Sequence, residues 1–77
     1  MNERWQVTSD VPGYFISTVE MPVGLPFLGY NFETMVFPRT DQGEVDYLDL
    51  VCERSQTKEE AIANHTRLFG LFADHKN

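Results

Sequence analysis

Seventy-seven residues suffice for one domain over 1–77 and leave no material for a second core. A net charge of −6, with six Lys and Arg against twelve Asp and Glu, argues against DNA or RNA polymers as partners, because polyanion binding needs many cations on phosphates. Cys52 is the single cysteine, which excludes an intrachain disulfide and fits a reducing compartment.

The first ten residues are polar apart from Met1, Trp5 and Val7, and the stretch closes on the turn signal Asp10-Val11-Pro12-Gly13. The stretch 1–13 reads as a flexible arm or a short edge strand, and Trp5 favours the strand. Glu3, Arg4 and Asp10 make it unlike a signal peptide, and no apolar run reaches membrane-spanning length. No membrane association and a cytoplasmic location are therefore expected.

Residues 14–21 (YFISTVEM) are aromatic and β-branched, as strands require. The stretch 22–29 has two prolines and two glycines, which exclude regular structure. Its Val23, Leu25, Phe27 and Leu28 suit either a flap over the core or a contact surface. Residues 30–37 form a second expected strand, with Phe32, Thr34 and Val36 on one face and Glu33, Met35 and Phe37 on the other. A turn at 38–43 ends in Gly43, suited to a positive φ.

The third expected strand covers 44–54, with Leu48, Leu50 and Cys52 alternating against Val45, Tyr47 and Val51. Asp41, Glu44, Asp46, Asp49 and Glu53 make it acidic, which reads as a solvated edge; the spacing fits no calcium loop. The helix signal is sharper. Thr57-Lys58-Glu59-Glu60 is a capping box, followed by Ala61, Ile62, His65, Leu68, Phe69 and Phe72 at helical spacing. Gly70 weakens the last turns.

The expected fold is α+β: a small three-stranded antiparallel sheet with one C-terminal helix packed on one face, β-β-β-α. The strands carry apolar residues on both faces and one helix covers one of them. A homo-oligomer, dimer or tetramer, is the expected remedy.

No phosphate-binding glycine loop, paired cysteines or two-histidine metal motif occurs, and no cofactor or metal is expected. Cys52 and His65 lack a third orienting group, so an enzyme is not expected. Cys52 reads as a small buried hydrophobe or, failing that, a reactive thiol. His65 is either a half-buried histidine bonded to a neighbour or a donor to a ligand. Arg54 is either in a salt bridge with Glu53 or Glu59, or an anion site together with the helix N-terminus. Glu33 is either ion-paired or an acceptor for a guanine edge.

Ile16-Ser17-Thr18-Val19 and Asn31-Phe32-Glu33-Thr34-Met35-Val36-Phe37, followed by Cys52-Glu53-Arg54, Thr57-Lys58-Glu59-Glu60-Ala61 and His65, resemble the core of a set of short phage proteins. Phe-Glu-Thr-Met-Val-Phe is the specific part. Ser55 departs from the pattern, which often has an aromatic there, and so does the apolar 22–29 stretch. The set is similar to the phage anti-CBASS sponges, which sequester cyclic dinucleotides such as cyclic GMP-AMP at the interfaces of symmetric oligomers without cleaving them. The resemblance implies a phage immune-evasion protein in the cytoplasm of an infected bacterial host. Such a ligand needs phosphate donors, which Ser17, Thr18, Thr34, Arg54 and His65 can supply, and stacking partners for its purines, which Tyr30, Phe32 and the apolar 22–29 stretch can supply, with Glu33 as an acceptor for a guanine edge. An interface between copies suits a nearly two-fold symmetric ligand. The alternative is an accessory protein that inhibits a host protein by direct contact through the acidic 41–53 segment or the apolar 22–29 stretch.

Overall fold

The computed structural model describes residues 4–21 and 29–74. Four strands and one helix follow in chain order: β1 (Gln6–Val11), β2 (Tyr14–Glu20), β3 (Phe32–Pro38), β4 (Val51–Ser55) and α1 (Lys58–Ala73). The strands form one antiparallel sheet in the order β1-β2-β3-β4. The α+β class and the single C-terminal helix agree with the sequence reading. The strand number does not: the sheet has four strands, because Gln6–Val11 forms an edge strand.

A tight turn makes β1. Gly13 takes a φ of 85°, which only glycine adopts without strain, and so Val11 returns opposite Tyr14. Gln6 then faces Val19, and a backbone bond of 3.0 Å from the Glu20 amide to the Trp5 carbonyl extends the pairing.

The expected strand over 44–54 is shorter than its alternation suggests. Only Val51–Ser55 pairs as a strand with β3, and 44–50 meets the sheet through an isolated bridge between Arg39 and Val45. Tyr47, Leu48 and Leu50 face solvent, so the alternation there is not that of a half-buried strand. The reading for 22–29 lies outside the described residues except for Gly29.

Helix α1 begins where its capping box places it. Thr57 is extended and its hydroxyl accepts from the Glu60 amide at 3.1 Å. The reciprocal arm is displaced by one residue, since the Glu60 carboxylate accepts from Gln56 N–H at 3.0 Å and not from Thr57. The helix lays Ala61, His65 and Leu68 on the sheet, and Val11, Ile16, Val36 and Leu68 make the core with Tyr14, Val51 and Phe72 around them. Ile62 and Phe69 of the expected stripe stay exposed on its flank. Among the described residues no helix is long and apolar enough to cross a membrane.

Candidate functional site

Alternation along the strands sorts the side chains onto two faces. Register places Thr18 opposite Thr34, and Thr34 opposite Glu53, on the face that carries α1. Ser17 lies opposite Met35, and Val19, Glu33 and Arg54 form one row, on the other face. The seven residues singled out from the sequence therefore do not form one site.

Beneath the helix, His65 bridges two strands. Its Nδ1 lies 2.8 Å from the Thr18 hydroxyl and its Nε2 2.8 Å from the Ser9 hydroxyl. Thr18 and Thr34 share a further hydrogen bond of 2.8 Å, and both are fully buried. Burial lowers the His65 pKa from its ordinary value, because the charged imidazolium would lose its hydration. Both ring nitrogens are occupied by hydroxyls, which a neutral imidazole satisfies with one nitrogen donating and one accepting. This arrangement ties the helix to β1 and β2 and leaves no ring nitrogen for a ligand. Alongside it, the Asn64 amide donates to Ser55 Oγ at 2.9 Å and Arg67 pairs with Glu53.

The opposite face is open in the sense that α1 does not cover it, although Ser17 and Phe37 on it are buried. Its rows run Gln6, Val19, Glu33, Arg54; then Thr8, Ser17, Met35, Cys52; then Asp10, Phe15, Phe37. Phe15 and Phe37 are near parallel at 6.4 Å between centroids, with the Arg39 guanidinium 5.4 Å from the Phe15 ring and Tyr47 edge-on to Phe37. Arg39 also pairs with Asp10. At the other end Arg54 meets Glu33 at 3.1 Å, and the Cys52 thiol donates to the same carboxylate at 3.3 Å. Partial loss of hydration at the sulfur, with the Glu33 carboxylate next, pushes the Cys52 thiol up to about 11, away from the nucleophilic thiolate, although the residue as a whole is exposed. Cys52 is exposed and not the buried hydrophobe expected.

Arg54 is thus paired across strands with Glu33. It projects from the face opposite the helix, so it does not form an anion site with the helix N-terminus. Ser17, Glu33 and Arg54 share the open face; Thr18, Thr34 and His65 share the covered one. Tyr30 precedes β3 and is half-buried. The sequence reading missed Ser9 as the second partner of His65, and it missed Phe15 and Met35 as neighbours of Ser17. The alternation of 14–21 carries the Phe15–Ser17–Val19 signal; nothing local marks Ser9. Among the described residues no group of three or more His, Cys, Asp and Glu converges as metal ligands. No protein-family model, curated protein or solved structure matches this chain.

Proposed function

We propose that this protein works by binding, through the open face of its sheet, and that its ligand is a cyclic dinucleotide held without cleavage between copies of the chain. The supporting observation is the make-up of that face: half-buried Phe15, Val19 and Met35 beside the Glu33–Arg54 pair, on the side away from α1. Flat aromatic and thioether surface suits purine stacking, Arg54 suits a phosphate, and Glu33 suits the donor edge of guanine. Two copies facing each other would enclose a two-base ligand that one open sheet cannot surround. In this reading Glu33 and Arg54 contact the ligand and the buried Ser17 lies beneath the surface of the same face, while Thr18, Thr34 and His65 hold the sheet to the helix. The biological role is the one the resemblance implies, a phage sponge that keeps CBASS effectors inactive. The net charge of −6 makes recognition depend on local placement, since the overall field repels an anion.

Calorimetry with cyclic GMP-AMP and cyclic di-GMP tests this directly, with light scattering on the same samples. Heat at micromolar protein and a dimer or tetramer are the expected results, and Arg54→Ala should weaken binding by about tenfold, the usual worth of a desolvated charge-assisted bond. No heat with either ligand, or a monomer of 8.9 kDa with and without ligand, contradicts the reading.

A further inference from the structure

The connection from β3 to β4 has an unusual surface. Tyr47, Leu48 and Leu50 are 72%, 78% and 56% exposed, three large apolar side chains within four residues. They are interleaved with Asp46 and Asp49, with Asp41 and Glu44 just before, and 41–50 contains no Lys or Arg. The backbone is tied down: the Asp46 amide donates to Pro38 O at 2.9 Å and the Leu50 amide to Val36 O at 2.8 Å. The Asp46 carboxylate accepts from the Leu48 amide at 3.2 Å and shapes the tip. Solubility accounts for the acids and not for the exposed apolar groups between them.

We propose that 41–50 is a docking loop for a cationic protein surface with apolar sockets. Leu48 and Leu50 are the anchors, and the surrounding carboxylates form a charged rim that steers and orients the partner. Charge selects this occupant. A second copy would bring acid onto acid in a chain of net charge −6, and nucleic acid or an anionic bilayer would be repelled in the same way. Tyr47 of the loop lies edge-on to Phe37 of the open sheet face, whereas the docking rests on Leu48 and Leu50 and needs no ligand on that face.

The probe is a synthetic amphipathic peptide of Leu and Lys, titrated into the 15N-labelled full chain. Amide shifts confined to 41–50 are expected, together with at least a roughly tenfold weaker affinity in the double variant Leu48→Ser, Leu50→Ser, which keeps every carboxylate. The amide spectrum outside the loop checks its fold, and Leu48→Ser alone replaces it if the double variant unfolds. Equal binding by the variant means the loop is only an acidic surface and overturns the proposal. So do shifts elsewhere, no binding at all, or loss of wild-type self-association in the variant, which would make the patch a contact between copies.

Discussion

The two faces of the sheet are built from alternate residues of the same strands, yet they obey different rules. On the covered face the buried polar side chains are linked: Ser9, His65, Thr18 and Thr34 form a continuous chain of hydrogen bonds beneath α1, beside the apolar core of Ile16, Val36 and Leu68. Among the described residues no buried side-chain nitrogen or oxygen is left unpaired. Such a closed network fixes how the helix sits, because any other seating would strand a polar group in low dielectric. On the open face Phe15, Val19 and Met35 are half-buried with charge at both ends of the sheet, Glu33–Arg54 and Asp10–Arg39. Polar residues of the two faces thus serve different ends. Those buried beneath the helix maintain the fold, and on the proposed reading the ion pairs beside half-buried apolar surface are the ones that meet a ligand.

This contrast breaks most easily at its core. Leu68 is 1% exposed, and Leu68→Ala should cost about 3 kcal/mol in urea unfolding, as buried leucine truncations do. Phe15→Ala, on the open face, should cost clearly less. Equal losses would mean that the two faces are equally packed.

Acid sharpens the same contrast. The His65 pKa is lowered in the fold, so the unfolded chain takes up its proton first as pH falls. The stabilisation from neutral His65 is complete above the ordinary histidine pKa of about 6.5 and declines below it until the folded-state pKa is passed. The groups facing it from the packed elements are Ser9 on β1 and Thr18 on β2, with Thr34 behind and the Glu53–Arg67 pair to one side. Thermal midpoints measured from pH 7.5 to 5 should fall in the wild type, and His65→Gln should remove the part of the slope due to this residue. An unchanged slope would show that His65 titrates as it does in water.

The smallest expected effect lies at the helix start. Thr57→Ala removes the hydroxyl that accepts from the Glu60 amide and should cost about 1 kcal/mol, read from the unfolding midpoint. It should leave the open face and its binding untouched.

What could be read from the sequence was local. The capping box marks Thr57 because its partners are within four residues, and the stripe places His65 on the sheet-facing side of the helix. The partners of His65 were not legible, since Ser9 and Thr18 lie 56 and 47 positions away and are brought together only by sheet register. Strand β1 was half legible: its turn is plain, but Gln6, Thr8 and Asp10 are polar because that side of an edge strand faces solvent. In 44–50 the alternation of Val45, Tyr47, Leu48 and Leu50 imitated a strand, although the side chains that produce it are mostly in water. Ser17 and Thr18 are neighbours in sequence and fall on opposite faces, which strand alternation alone separates. Grouping them in one site overlooked that rule.

The most direct test of the central claim uses that alternation. Methyl spectra of the full chain, recorded while cyclic GMP-AMP is added, report Met35 and Val19 on the open face and Ile16, Val36 and Leu68 on the covered one. Shifts are expected at Met35 and Val19, with Ile16, Val36 and Leu68 nearly still. Shifts concentrated at Ile16, Val36 and Leu68, or none anywhere, would contradict that claim.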